Sequence, residues 1–235
     1  MEDRKPGLPH SLEAAWGLRT RPGYGPKPGL SLEKVVDAAV ALAGADGLVA
    51  VSMVKVAKAL GVSTMALYRY VAAKDELLEL MIDRAIGEAP PVEEGIDWRE
   101  GMSRWARAYL VVLRRHRWII EVPIAGPPIA PNQLGWLELG LRYLAQTGLS
   151  GRAKLSAVMM IAAFVRTVVI YEVQARAPRY DYAAELSRVV DREKYREIVS
   201  LMIEGAIDDE VDNYADEFSF ELGIILDGVA ALMAR

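Results

Sequence analysis

Cysteine is absent from the 235 residues, histidine occurs twice and phenylalanine three times. Without cysteine there is no disulfide and no thiolate metal site, and a reducing cytoplasm fits. The two histidines, His10 and His116, are far apart, so no metal-ligand set is visible and no cofactor is implied. Familiar catalytic devices are missing as well. The chain has no Gly-x-Ser-x-Gly elbow, no phosphate loop ending in Gly-Lys-Ser/Thr, no Gly-x-Gly-x-x-Gly and no His-Glu-x-x-His. Nothing in it asks for an enzyme. The first residues, MEDRKPGLPHS, have no apolar core and cannot form a secretory signal. The longest apolar run, 157–173, is broken by Arg166 and is short for a membrane span, so it reads as a buried helix. No alternating apolar-polar stretch suggests a strand, and no internal repeat occurs. The fold expected is all-α.

Charge is unevenly spread. Residues 1–74 carry ten Lys and Arg against six Asp and Glu, while residues 75–235 carry eighteen against twenty-six. A basic front on an acidic body points one end of the molecule at a polyanion. Residues 1–29 are rich in Pro and Gly, which argues against a regular element from Pro22 to Gly29. A short helical turn around Trp16 could form between Ser11 and Leu18. Arg19 and Arg21 make the end of this arm positive. Such an arm could lie in a DNA minor groove, or be a leader that touches nothing.

The densest pattern is SMVKVAKALGVSTMALYRYVAAK, from Ser52 to Lys74. Ser52 can cap a helix whose apolar face carries Val56 and Ala57. Gly61 breaks it, and Ser63 can cap a second helix with Ala66 and Leu67 inward. Small Ala57, with Gly61 one turn on, allows a close crossing and a positive-φ turn. This is the helix-turn-helix pattern, whose second helix enters a major groove. Thr64 and Met65, at the start of that helix, could reach base edges. Tyr68, Tyr70 and Lys74 lie outward of them, and Ser52, Met53 and Ser63 sit at helix starts, where phosphates bind. The alternative is an ordinary helical hairpin with surface hydroxyls.

The stretch GVSTMALYRYVAAKDELLELMID resembles the signature of the tetracycline-repressor (TetR) family. Its marks are Gly-Val-Ser, Leu67-Tyr68, Tyr70-Val71 and Lys74-Asp75-Glu76-Leu77-Leu78. The preceding LSLEKVVDAAVALAGADGLVAVSM resembles that family's first helix, and the arm WGLRTRPGYGPKPGLSLE is similar to that of actinobacterial members. The likeness is specific over Leu30 to Asp83 and weaker beyond. It implies a three-helix reading head over 30–80, preceded by a flexible arm at 1–29. A helical ligand-binding and dimerisation domain would follow over 81–235. It also implies a repressor released from a palindromic operator by a small molecule, with the helix starting at Lys74 transmitting the shift. Tetracycline itself is not supported, because that pocket uses histidine-assisted metal binding.

The remainder reads as helices broken at Pro90-Pro91, in the proline-rich 118–131 and at Gly148. The expected helices span 97–116, 132–147, 153–177, 191–204 and 214–234. Trp105, Tyr109, His116, Trp136, Tyr143, Phe164 and Tyr171 could furnish an aromatic pocket, although aromatics at helical spacing also serve as plain core. Helices 153–177 and 214–234 carry more apolar residues than one core needs. Paired across a two-fold axis they would give a four-helix bundle and a homodimer, holding two heads on double-stranded DNA. The competing expectations are an all-helical enzyme or a scaffold that binds no DNA.

Overall fold

The computed structural model describes residues 7–18, 29–123, 127–174, 182–207 and 214–234. Among them every regular element is helical: eleven α-helices and two short 3-10 turns. The chain divides into two compact units, residues 1–166 and 167–235.

The first unit opens with α1 (His10–Ala15), then α2 (Leu32–Asp46), α3 (Met53–Ala59) and α4 (Thr64–Leu67). Serines start three of these segments as the sequence suggests. Ser31, Ser52 and Ser63 each accept an N–H three residues on, from Lys34, Lys55 and Ala66, at 3.2–3.3 Å. Val35, Val36 and Ala39 of α2, Val56 and Ala57 of α3, and Leu67 and Val71 after them are buried. This small core fixes α3 and α4 on α2. α5 (Lys74–Ile86) follows and packs on α2, and its Leu77, Leu78 and Met81 are buried.

α6 (Trp98–Arg115) is started by Asp97, whose carboxylate accepts the N–H groups of Arg99 and Glu100 at 2.8 and 3.2 Å. A 3-10 turn, Arg117–Glu121, leads to α7 (Pro131–Tyr143). Proline at its first position begins α7, where no intrahelical N–H is needed. α6 and α7 pack closely because Gly101 lies against the ring of Tyr143. α8 (Gly151–Gln174) begins in this unit, burying Val158, Ile161 and Val165.

The second unit holds the end of α8, then α9 (Tyr182–Val189), α10 (Arg196–Ile203) and α11 (Tyr214–Met233). α10 starts five residues later than residue 191, where periodicity would begin it. Asp191 instead caps a turn, accepting the N–H groups of Glu193 and Lys194 at 3.0 and 3.1 Å. α11 buries Phe218, Leu222, Leu226 and Val229 along one stripe.

Candidate nucleic-acid interface and ligand cavity

The turn between α3 and α4 is built by Gly61 at φ +66°. Val62 N–H donates to the Ala57 carbonyl at 3.0 Å and Gly61 N–H to that of Lys58 at 3.2 Å. These are the two bonds of a Schellman ending, which needs a left-handed residue that glycine supplies without strain. α4 then packs on α3 with its first turn partly in solvent. Met65 is 74% exposed, Tyr68 is 47% exposed, and Thr64 is half-buried. Lys55, Lys58, Arg69 and Lys74 are also exposed. None of these four cations pairs with a carboxylate among the described residues. The surface therefore offers a methyl-bearing tip flanked by hydroxyls and unpaired positive charge, which suits a groove edge and its phosphates. Arg69 was not singled out from the sequence, since it lies between two tyrosines of the motif and carries no periodic signal.

Two expected contacts turn inward. Met53 is buried at 8% exposure, because the first position of α3 faces the core of the head. Tyr70 donates its hydroxyl to the Leu30 carbonyl at 2.9 Å, fastening the segment after α4 to the start of α2. Ser52 and Ser63 use their hydroxyl oxygens as helix caps. Arg19 and Arg21 lie outside the described residues.

In the body of the first unit a cavity of about 430 Å³ opens between α5, α6, α7 and α8. Trp105, Tyr109 and Trp136 form one wall. Their ring centroids are 5.3 to 6.0 Å apart, with Trp105 and Trp136 edge to face. Both indoles are anchored: Trp105 donates to the Trp136 carbonyl at 2.9 Å and Trp136 to the Gly87 carbonyl at 3.1 Å. The proline-rich segment supplies the facing rim through Pro123, Pro127, Pro128 and Ile129. Polar groups are few. Glu79 accepts a hydrogen bond from Gln133 at 2.8 Å, and Arg166 enters from α8. Burial lowers the Arg166 pKa and raises that of Tyr109, and each group partly offsets the shift of the other.

Of the seven aromatic and histidine candidates, Trp105, Tyr109 and Trp136 line this cavity. His116, Tyr143, Phe164 and Tyr171 are not among its lining residues. His116 stacks edge to face on Trp118, its pKa lowered by burial and by Arg115. Tyr143 fills the space over Gly101, and its hydroxyl accepts the Glu93 N–H at 3.5 Å. Phe164 is half-buried and Tyr171 is largely exposed. Arg166 looked only like an interruption of an apolar helix, while Glu79 and Gln133 stand among other polar residues of α5 and the start of α7, where nothing local marks them.

α5 joins the cavity to the head. Its Glu79, Ile82 and Ile86 are cavity wall, and its first residue is Lys74. Asp83, 7% exposed, caps α7 by accepting the N–H groups of Asn132 and Gln133 at 2.8 and 3.0 Å and the Asn132 amide at 3.1 Å. Burial pushes the Asp83 carboxyl up, against these three bonds, which pull it down. Beside it in the last turn of α5, Arg84 grips Asp37 of α2 with two bonds, at 2.7 and 3.3 Å. Ser11 of α1 donates its hydroxyl to Glu76, and Trp16 donates to the carbonyl of the rim residue Ile129 at 3.0 Å.

Comparison with known proteins gives a consistent picture. A family model described as "Bacterial regulatory proteins, tetR family" matches residues 35–81. A second, "Tetracyclin repressor-like, C-terminal domain", matches residues 90–233. The HTH-type transcriptional repressor DrrR1 of Streptomyces coeruleorubidus is 35% identical, spanning 97% of this chain and 87% of its own. The class A tetracycline repressor protein of Escherichia coli is 28% identical over 83% of this chain and 88% of its own. Among solved structures, ActR of Streptomyces coelicolor in complex with actinorhodin superposes with a TM-score of 0.74 at 25% identity, covering 88% of this chain and 99% of that one.

Proposed function

Because the chain belongs to the tetracycline-repressor family of bacterial transcriptional regulators, we propose that it works as a homodimeric repressor. A small molecule in the cavity between α5 and α8 releases it from a palindromic operator. The reading head spans residues 30–80 and the ligand and dimer domain 81–235, and within the arm at 1–29 the basic residues Arg19 and Arg21 follow the adjacent minor groove. Thr64 and Met65 read bases; Tyr68, Lys74 and the flanking lysines hold phosphates. The protein acts in the cytoplasm, where its DNA is, and carries out no catalytic step.

The observation that carries this reading is the double duty of α5. The same helix walls the cavity and leads directly out of the reading head. An occupant that pushes Ile82 or Ile86 moves the element on which the head is mounted, giving a ligand different free energies in the bound and released forms. That ActR has been solved with actinorhodin bound supports a small-molecule occupant.

Dimerisation is supported by two apolar stripes open to solvent. On α11, Phe220 and Ile224 are 71% and 57% exposed, in line with exposed Gly228 and Ala231. On α8, exposed Met159, Met160, Ala163, Thr167 and Tyr171 follow one face. α8 is apolar and long enough to cross a bilayer by length and composition. Arg152, Ser156, Thr167 and Gln174 on its exposed face suit a second protein surface better than lipid.

Selection from a pool of random duplexes tests the proposal. An enriched inverted repeat is expected, whose affinity falls steeply as salt rises, because released counterions drive the binding. No enrichment at low salt would end the repressor reading and leave a helical scaffold or enzyme.

A further inference from the structure

Resting on the reading of this cavity as the effector site, we infer that the effector is an aromatic anion whose acidic group is held by Arg166. Four observations converge on that residue.

Arg166 is a cavity-wall residue on a helix whose neighbouring turns, at Ile161, Val165 and Val169, are fully buried. It has no carboxylate partner among the described residues. Its Nη2 donates to the Ile120 carbonyl at 2.8 Å and also to the Val122 carbonyl. Those two acceptors orient the guanidinium but do not neutralise it. A guanidinium has five N–H donors, so Nε and Nη1 keep three of them. Arg166 is half-buried, so its charge is partly withdrawn from water without a counter-ion, and a ligand that brings one completes its pairing with charge-assisted bonds.

The rest of the wall describes the remainder of the molecule. Tyr109 and Trp136, with centroids 5.4 Å apart, present π surface, and Pro127 and Pro128 present flat apolar rings. A conjugated ring system gains more from such walls than an aliphatic chain does. Glu79 is the cavity's other charge. Gln133 holds it, and among the described residues Arg166 interacts with no carboxylate there. A carboxylate there repels a second anion and accepts from a hydroxyl or amine. The acid therefore binds at the Arg166 end and a hydrogen-bond donor at the Glu79 end.

A purely structural role for Arg166, bracing the 3-10 turn against α8 through the two carbonyls, predicts equal loss of all ligands on mutation. The experiment separates the two roles with a pair of fluorescent probes of nearly the same ring skeleton: anilinonaphthalene sulfonate, an anion, and phenylnaphthylamine, which is uncharged. Both are titrated into the full-length protein. The wild type should prefer the anion. Arg166→Gln should weaken the sulfonate about tenfold or more, as loss of a charge-assisted hydrogen bond would, and leave the neutral probe within about twofold. Arg166→Lys, which keeps the charge, should restore part of the preference.

Ala162→Trp, which fills the cavity, should remove both probes. Wild-type protein with no preference for the sulfonate overturns the inference without needing any variant to fold. Parallel loss of both probes in Arg166→Gln overturns it too and leaves Arg166 a brace, while the cavity reading stands. Both probes bound unchanged in Ala162→Trp would instead remove the cavity reading, and the inference with it.

Discussion

Gly101 packs so closely under Tyr143 that a β-carbon would clash with the Cδ1, Cγ and Cε1 edge of the ring. Gly101→Ala should therefore push α6 off α7 and lower stability by about 1–3 kcal/mol, as overpacking does. A urea melt reads it directly, and an unchanged midpoint would mean Tyr143 swings aside freely. On the head, Tyr68→Ala and Lys74→Ala should weaken every duplex alike, because phosphates carry no sequence. Thr64→Ala or Met65→Ala should alter which bases are preferred. Competition between random-sequence and selected duplexes distinguishes the two behaviours. A Met65 variant with unaltered base preference would move the reading function elsewhere on α4. These assignments come from exposure at a helix start, which the motif spacing already conveyed. Met53 and Tyr70 could not be assigned that way. Spacing marks a residue's position along a helix, but the rotation that buries Met53 depends on where α2 lies. The hydroxyl of Tyr70 is taken by Leu30, forty residues earlier in the chain.

At the scale of elements, α5 is held from three sides, and the tightest hold is the Asp83 cap on α7. Asp83→Ala would leave the Asn132 and Gln133 N–H groups without that acceptor and should cost about 2 kcal/mol. Because those bonds tie the cavity helix to the helix leading from the head, the variant should also respond less to ligand: its operator complex should survive effector concentrations that release the wild type. Anisotropy of a labelled operator measures this. Full release at the wild-type concentration would show that the shift travels by another contact. By contrast, the exposed Arg84–Asp37 pair is worth about 0–1 kcal/mol. The capped starts at Ser31, Ser52 and Ser63 were legible because a cap and its helix are adjacent in sequence. The Asp83 cap was not, since it joins residues 49 and 50 positions apart. Arg166 was visible only as a break in an apolar run. Nothing local reveals which carbonyls or cavity a long side chain will meet.

For the whole molecule, the basic front and acidic remainder were plain from composition, and the excess of apolar residues expected of α8 and α11 stands in the structure as exposed apolar side chains on both helices. Phe220→Glu with Ile224→Glu would place two charges on the α11 stripe. The double variant should sediment as a single chain while keeping its helical content. A double variant that remains paired would put the interface elsewhere. The proposed dimer, with two heads on one body, also makes a prediction about DNA that no single head makes. The most direct check is a titration of the wild-type protein against a selected inverted repeat and against one isolated half of it, with the number of chains bound counted by sedimentation. Two chains on the full repeat, and binding to the half-site weaker by tenfold or more, is the expected result. Equal affinity for the two duplexes, with one chain on each, would contradict it.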